Sequence, residues 1–415
     1  MSFQTGLSGL NASSRSLDVI GHNIANANTV GMKSSRAEFG DLVASSLGVS
    51  GGSNQAGIGV GLAAIAQQFT QGNITTTGNS LDVSINGGGF FQLTQTDGSI
   101  AYTRDGQFKL DKDGYILTNS GANVMGYPTD QSGTATSVAV QKLQLPTSAP
   151  IPASATATIT AEFNLDARAP VAASVIPPTP RTTYGTSLTV YDSQGAEVPV
   201  SLYFERVAST VADPAAVPPV SATDNWDVYD VATGGAPLFQ MQFNANGKLT
   251  APAVSPTLTI ATPSTTTPDI SAALDISKVT QFGSSFAVSN LTQDGYPPGE
   301  LTGLSIGESG VITTRYSNGQ TLSSGQISLA DFRNIQGLQP LGGNSWAATF
   351  DSGLPVQGQP GVGKFGALRA GALEESNVDL TSELVNMMTA QRAYQANAQT
   401  IKTQDQIMST LVNLR

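Results

Sequence analysis

Residues 372–415 read ALEESNVDLTSELVNMMTAQRAYQANAQTIKTQDQIMSTLVNLR, a run without glycine or proline. Ser376 and Asp379 near its start fit the pattern of a helix N-terminal cap. Apolar residues then recur at steps of three, four or seven, as they do on one face of a helix. The residues of this C-terminal seam are Leu380, Leu384, Met387, Tyr394, Ala398, Ile401, Met408 and Leu411. The spacing predicts a continuous helix of about 37 residues, which would be about 55 Å long.

The first 25 residues carry a similar pattern. Their apolar residues follow one another at steps of three, four and seven, which is the a/d spacing of a coiled-coil seam. The residues of this N-terminal seam are Phe3, Leu7, Leu10, Leu17, Ile20 and Ile24. The helix should end at residues 26–31, Asn-Ala-Asn-Thr-Val-Gly, because asparagine and glycine favour turns.

Neither terminal helix has a globular segment of its own against which to bury its seam. An isolated amphipathic helix is marginal in water, because most of its stability comes from packing. Two interpretations are open. The helices pair with each other within one monomer, or they stay frayed until other subunits cover them. Terminal helices that bracket β-rich segments are typical of a self-assembling rod or tube.

The middle of the chain differs from the ends in its proline content. Of 22 prolines, 16 lie between Pro146 and Pro268, none precedes Pro128 and none follows Pro360. Proline costs about 3 kcal/mol inside a helix and is excluded from central strands, so this segment is predicted to be loop-rich β structure. Within it, residues 192–195, Asp-Ser-Gln-Gly, separate two β-rich runs as a hairpin turn.

Two further β-rich stretches flank the proline-rich segment. Asp-Gly pairs recur every eight residues at 97–98, 105–106 and 113–114, and Asp-Gly is a preferred hairpin turn. Residues 72–127 are therefore predicted to form a β-meander. Residues 286–365 need partner strands, and we expect them to pair with this meander. The proline-rich segment would then be an insertion into a β domain.

These patterns together predict a multidomain, mainly β protein with terminal α-helices. The N- and C-terminal helices are expected to form a coiled-coil domain with a connecting segment, from residues 1–70 and 367–415. A discontinuous inner β domain is expected from residues 71–147 and 282–366. The inserted, proline-rich outer β domain is expected to span 148–281.

The composition argues against most chemistry and several kinds of partner. There is no cysteine, which excludes a disulfide, a thiol nucleophile and a Cys/His zinc site, and His22 is the single histidine. A net charge of -11 without any Lys/Arg cluster argues against nucleic acid. No stretch approaches the ~18–20 apolar residues of a spanning helix, and residues 1–7 lack the features of a secretory signal peptide. We therefore expect no membrane insertion.

Three local patterns resemble known sites and fail on their context. Residues 361–366, GVGKFG, match a dinucleotide fingerprint but lack the buried strand before it and the helix after it. Residues 109–120 resemble part of a calcium loop without its first ligand and its final glutamate. No nucleophile lies at a spacing from His22 that matches a known catalytic motif. We predict no enzyme activity, no cofactor, and no catalytic or metal-binding residue.

Four motifs carry a resemblance to a known family. Residues 8–33, SGLNASSRSLDVIGHNIANANTVGMK, are similar to the N-terminal signature of the bacterial flagellar axial family of rod and hook proteins. They depart from the commoner form at His22, where asparagine is frequent. Residues 81–91 and 102–108 resemble the central motif of the family, and residues 371–380 with the helix that follows resemble its C-terminal motif. The chain resembles the hook members most closely.

The resemblance implies a structural subunit that polymerises with itself into a curved tube, the flagellar hook. In that family the terminal helices form coiled coils in an inner tube, the C-terminal helix lines the channel, and β domains form the outer layers. The tube works as a universal joint that carries torque from the rod to the filament. Other implied partners are the distal rod, the hook cap, the hook-length control protein and the hook-filament junction protein. Export by the flagellar type III secretion apparatus would place the chain in the extracellular hook, next to the basal body.

Three alternatives differ from this interpretation in features of the sequence. A distal rod protein, or another axial protein, shares both terminal signatures, but rod subunits lack a large insertion such as residues 148–281. A secreted β-domain adhesin could share the composition, but it would not need matched terminal seams. A secreted hydrolase would need a catalytic cluster, and the sequence nominates none.

Overall fold

The computed structural model describes residues 2–43, 57–146, 150–174, 179–212, 222–264 and 266–413. The observed fold is mainly β with one α-helix at each end, as predicted. The chain forms two compact units. The first consists of Met1–Ser148, Thr302–Arg315 and Thr321–Arg415, and the second of Ala149–Leu301 and Tyr316–Gln320.

Both α-helices belong to the first unit. Helix α1 spans Ser2–Ala25 and helix α2 spans Leu380–Asn413. After α1, the N–H groups of Ala27 and Thr29 donate to carbonyls three residues earlier, at 3.3 Å and 3.0 Å, so the asparagine-rich segment forms turns and the helix ends there as predicted. Helix α2 is capped by Asp379, whose Oδ1 accepts from the N–H of Thr381 at 2.9 Å. Asp379 is the second residue of the predicted capping pair.

A β-hairpin follows α1 and packs on it. Strand β1, Ser35–Val43, pairs antiparallel with strand β2, Gly57–Gln67. The N–H of Val60 donates to Ser8 Oγ at 3.3 Å, and a Cβ on the preceding Gly59 would collide with that hydroxyl. The sequence patterns predict only a connecting segment here, and the structure shows that it folds into a hairpin.

The next eight strands form the first half of the β part of this unit. They are β3 Ile74–Thr76, β4 Val83–Asn86, β5 Phe90–Thr94, β6 Ile100–Thr103, β7 Phe108–Leu110, β8 Ile116–Thr118, β9 Asn123–Tyr127 and β10 Gln141–Lys142. Gly98 and Gly114 turn the chain between paired strands with positive φ, as the Asp-Gly pairs predict. Gly106 does not make a hairpin turn. A Cβ there would collide with the carbonyl of Val83, so this glycine lets two backbone segments touch.

The second unit contains two five-stranded sheets with a shared core. Its strands are β11 Thr158–Asp166, β12 Gly185–Tyr191, β13 Glu197–Thr210, β14 Thr223–Tyr229, β15 Phe239–Phe243, β16 Leu249–Ala251, β17 Thr257–Ile260, β18 Ile270–Asp275, β19 Thr280–Phe282 and β20 Ala287–Gln293. One sheet has the order β17-β18-β11-β19 with β20 also on β11, and the other runs from β12 to β16 in sequence order. Trp226, Phe204 and Phe243 are among the side chains buried between them. The predicted hairpin at 192–195 joins β12 to β13.

The chain then returns to the first unit. Its last strands are β21 Leu301–Ile306, β22 Val311–Tyr316, β23 Thr321–Ile327, β24 Leu329–Asp331, β25 Gln339–Gly342, β26 Ser345–Ala347, β27 Val356–Gly358, β28 Ala367–Ala370 and β29 Ala372–Glu374. Strand β24 pairs with β5 and β26 pairs with β6, with Trp346 opposite Tyr102. The predicted pairing of the two β-rich stretches is thereby confirmed. Strands β28 and β29 pair with β4 and β3.

Residues 282–301 lie elsewhere than expected. The sequence predicts that they belong to the inner β domain, but β20 pairs antiparallel with β11, and Leu291 packs against the core of the second unit. The cause is the length of β11, which offers pairing edges to three other strands of this sheet. The division into helical, inner and outer domains stays a prediction. The described residues group the helices and the inner strands in one compact unit.

Candidate assembly surface

Helices α1 and α2 pack against each other in antiparallel directions. A Cβ on Gly6 would lie 3.1 Å from Ile401 Cγ1, and one on Gly9 would lie 3.0 Å from the side-chain amide of Asn397. The same amide donates from Nδ2 to Ser13 Oγ at 3.5 Å. Gly6, Gly9 and Ser13 recur at steps of three and four, so they share one helix face. Small residues thus let α2 approach α1 closely.

The residues of the two predicted seams differ widely in burial. Ile20 is buried. Half-buried members are Leu10, Leu17, Ile24, Met387, Ala398 and Ile401. Exposed members are Leu7, Leu380, Leu384, Tyr394 and Met408. The side chains of Phe3 and Leu411 lie outside the described residues. Ile401 is brought against α1, whereas the exposed members keep much of their apolar surface in solvent, so their role in assembly stays a prediction.

The C-terminal helix carries the largest uncovered apolar surface of the pair. Leu384, Met388 and Met408 keep 50%, 52% and 54% of their accessible area, and Val385 and Ile407 are similarly exposed. Soluble monomers seldom leave contiguous apolar surface uncovered unless it binds something. Pairing of the two helices within one chain therefore leaves apolar faces without cover.

The two helices also differ in length, so part of α2 has no counterpart on α1. With 34 residues, α2 is about 51 Å long, whereas α1 with 24 residues is about 36 Å long. Because Gly6 lies opposite Ile401, the last turns of α2 extend beyond the start of α1. Ile407 and Met408 are on this extension.

The hairpin of β1 and β2 exposes apolar side chains next to the helices. Phe39, Leu62 and Ile65 are all exposed, and Phe39 lies opposite Leu62 in the register. Cross-strand apolar pairs stabilise a hairpin, but these two leave part of their surface free for another contact.

Two asparagines fix the helix ends to the base of the hairpin. Asn23 is buried and bonds both backbone groups of Ser35, donating to its carbonyl at 2.8 Å and accepting from its N–H at 2.9 Å. Asn377 accepts from the N–H of Ser34 at 2.7 Å and donates to the carbonyl of Gln68 at 2.7 Å. The direction of each helix is thereby tied to the strands by paired, directional hydrogen bonds.

A buried ionic cluster lies beside these asparagines. Glu374 Oε1 is 2.5 Å from Lys33 Nζ, and Glu374 Oε2 is 3.1 Å from Arg104 Nη1, with all three side chains buried. Burial lowers the pKa of Lys33 and the pKa of Arg104, while the charge of Glu374 acts in the opposite direction on both. Sequence reasoning gave these residues no role, because 341 and 270 residues separate the partners and no local spacing signals the cluster.

The three patterns that resemble known sites lie in α1, in a hairpin and in the segment before β28. His22 is exposed, with Nδ1 at 3.2 Å from Asn26 Nδ2. Residues 109–120 contain the turn between β7 and β8, and residues 361–366 lead into β28 rather than a helix. In the described ranges, three or more His, Cys, Asp or Glu side chains nowhere gather as a metal ion would need. Neither of the described helices is long and apolar enough to cross a membrane.

Family models for flagellar proteins match most of the chain. In chain order they are "Flagella basal body rod protein" at 3–33, "Flagellar hook protein FlgE/F/G D1 domain" at 84–162, "Flagellar basal body protein FlaE D2 domain" at 164–296 and "Flagellar basal body rod FlgEFG protein C-terminal" at 369–414. Together with the helical ends and the β-rich middle, these matches define an axial protein of the bacterial flagellum.

Full-length relatives narrow this class. The flagellar hook protein FlgE of Escherichia coli (strain K12) is 40% identical over 432 residues, covering 100% of both chains. FlgE of Treponema pallidum (strain Nichols) is 33% identical over 459 residues, covering 99% of this chain and 98% of that protein. The chain belongs to the flagellar hook protein family, a structural family rather than a family of enzymes, and it is a subunit of the hook.

A solved structure agrees with this fold. The crystal structure of the Helicobacter pylori flagellar hook protein FlgE2 matches with a TM-score of 0.55 at 16% identity, covering 72% of this chain and 100% of that chain. At this identity the match supports the architecture alone.

Proposed function

We propose that the chain polymerises with copies of itself into the tube of the hook, and that both terminal helices form the subunit contacts of its inner wall. The observation that carries this proposal is an exposed apolar face on a helix that is already paired, with Leu384 and Met388 one turn apart and Met408 exposed near the other end of the helix. Leu384, Met388 and Met408 are each about half exposed. Full burial of such a side chain contributes about 1.5–3 kcal/mol, so covering the exposed half contributes about 1 kcal/mol per residue.

The test places a charge on this face without disturbing the monomer. Leu384→Glu should leave the monomer folded, because half of the side chain is in solvent. The variant should raise the critical concentration for polymerisation roughly tenfold or more, since a carboxylate buried without a partner costs well above the 1.4 kcal/mol that corresponds to tenfold. Leu384→Met, which keeps the apolar surface, is the matched control. Sedimentation and electron microscopy measure tube formation. A critical concentration for Leu384→Glu equal to that of the control would contradict the assignment of this face.

We further propose that the tube acts as a universal joint that carries torque from rod to filament, as the family resemblance implies. Only 12% of the residues are charged, and a surface poor in charge and rich in Ser, Thr, Asn and Gln suits polar contacts that exchange at low individual cost. Val254 and Val231 are exposed in the second unit. Val254→Lys combined with Val231→Glu should change the bending stiffness of the tube if such contacts slide there. Unchanged stiffness would count against sliding contacts on this surface.

The other partners are proposals of the same kind. They are the distal rod, the hook cap, the hook-length control protein, the hook-filament junction protein and the flagellar type III export apparatus. A chain without cysteine has no thiols to join wrongly while it is unfolded, which is compatible with export in an extended form. Co-purification of each partner with assembled hooks, compared with the Leu384→Glu variant, tests these contacts one at a time.

A further inference from the structure

A single buried carboxylate joins four segments of the first unit. Glu374 Oε1 accepts from Lys33 Nζ at 2.5 Å and from the N–H of Gly72 at 2.9 Å, and Oε2 accepts from Arg104 Nη1 at 3.1 Å. Lys33 lies between α1 and β1, Gly72 between β2 and β3, and Arg104 directly after β6. Glu374 itself ends β29, six residues before α2 begins. The segments next to both helices and the sheet that contains β5, β6 and β26 are therefore linked at one side chain.

The partners of Glu374 are held in turn by the backbone. Lys33 Nζ donates to the carbonyl of Thr70 at 2.8 Å, and Arg104 Nη2 donates to the carbonyl of Gly87 at 2.9 Å. The carbonyl of Glu374 accepts from the N–H of Gly31 at 2.8 Å. Charge-assisted hydrogen bonds are short and directional, so this cluster, which we call the Glu374 joint, restricts rotation as well as separation.

An apolar contact would hold the same segments together with less control of direction. Replacing a complete buried ion pair by apolar residues often leaves stability unchanged, so such pairs are weak evidence for a role in stability. The Glu374 joint contains two cations and one carboxylate, and Arg104 Nε is buried without a hydrogen-bond partner among the described atoms. This arrangement is poorly explained by stability alone.

We propose that Glu374 is a positioning residue that fixes the direction in which the two terminal helices leave the β sheet. The joint thereby makes the helices and the sheet turn together, which is what a subunit must do to carry torque between the inner and outer parts of a tube. This inference rests on the proposed function for its consequence in the polymer. The positioning itself is a property of the monomer and can be measured there.

The first measurement uses a full-length monomer with two spin labels. Because the chain has no cysteine, Lys109→Cys on β7 and Gln391→Cys on α2 introduce the only labelling sites, and both positions are exposed. The test variant adds Lys33→Met, Arg104→Met and Glu374→Leu together, which removes the joint without leaving an unpaired charge. The control adds Lys278→Met and Glu162→Leu, which removes an ion pair of the second unit that includes the exposed Lys278.

The two variants should differ in the width of the label-to-label distance distribution. We expect removal of the joint to widen it roughly twofold in the folded state, because the directional constraint is lost. The melting temperature should fall as well, since the N–H of Gly72 and the carbonyl of Gly87 lose their partners. The control should leave the width unchanged. A distribution as narrow as that of the parent, recorded below the melting transition of the variant, would overturn the inference. If the melting temperature falls steeply while the distance distribution of the folded state stays narrow, the joint only stabilises the fold. That result would also overturn the inference.

The second measurement is the persistence length of tubes formed by the same variants. Removal of the joint should lower it at least about twofold relative to the control. Tubes of unchanged stiffness from a variant with a widened distance distribution would refute the link to torque. If the parent chain itself forms no tubes, the proposed function fails, and the distance measurement still decides the role of Glu374.

Discussion

The close contact of α1 with α2 predicts that two alanine substitutions in one helix have opposite effects. Alanine is favoured over glycine inside a helix by about 0.8–1 kcal/mol. A Cβ on Gly21 would meet no atom within 4 Å, so Gly21→Ala should stabilise α1 by about this amount. At Gly9 the new methyl would lie 3.0–3.1 Å from three atoms of Asn397. Such overpacking typically costs about 1–3 kcal/mol, so Gly9→Ala should be neutral or destabilising by up to about 2 kcal/mol.

Hydrogen exchange of the amides in α1, read by mass spectrometry on the full-length monomer, reports this difference directly. Local opening free energies set the protection of each segment. A difference of about 1–3 kcal/mol between the variants corresponds to roughly a 5- to 150-fold difference in protection, with Gly21→Ala the better protected. Equal gains in protection for both variants would refute the close approach of the helices. Amides of α1 that are unprotected in the parent chain would refute their pairing in the monomer.

Three further substitutions test single contacts. Asp379→Ala removes the cap of α2 and should destabilise its first turn by about 1 kcal/mol, seen as faster exchange there. Gly106→Ala would drive a methyl into the carbonyl of Val83 and should prevent soluble expression of the folded first unit, assayed by protease resistance. Trp346→Phe removes the Nε1 bond to Gln67 at 2.5 Å and should cost about 1–3 kcal/mol in denaturant unfolding of this unit, since it leaves a polar partner unpaired.

Each of these substitutions has a matched control in the chain. Asp379→Asn keeps a side chain that can cap a helix, so exchange in the first turn should stay near that of the parent. Gly303→Ala adds a methyl where no atom lies within 4 Å, so it should express normally. Trp226→Phe removes an Nε1 that has no partner in the described structure, so it should cost only the lost packing. Indistinguishable results for a substitution and its control would contradict the contact in question.

The sequence predicted the type of both terminal elements better than the way they pack. Runs of apolar residues at steps of three and four mark a helix, and both helices lie where the pattern put them. This rule detects only faces with large apolar side chains, whereas the face of α1 that contacts α2 contains Gly6, Gly9 and Ser13. Small residues carry no apolar signal, although they decide how closely two helices approach.

Long-range contacts explain the other features that the sequence did not predict. Asp-Gly predicted turns correctly at 97–98 and 113–114, but at 105–106 the glycine serves the close approach of Val83, about twenty residues earlier. Strand β20 pairs with an edge of β11, so residues 282–301 lie outside the predicted inner domain. Glu374 and Lys33 lie 341 residues apart, so no spacing could associate them before the fold was known.

The pairing of the last two strands with the early strands β3 and β4 has a kinetic consequence. Strands β3 and β4 pair with β29 and β28, which lie within residues 367–415, the last 49 of the chain. Contacts this distant in sequence form late, because closure of a long loop must precede any gain from them. A chain delivered from its N-terminus can complete the second unit while the first still waits for its final strands. On the proposed function, the assembly surface would then mature only after Glu374 has arrived and the first unit has closed.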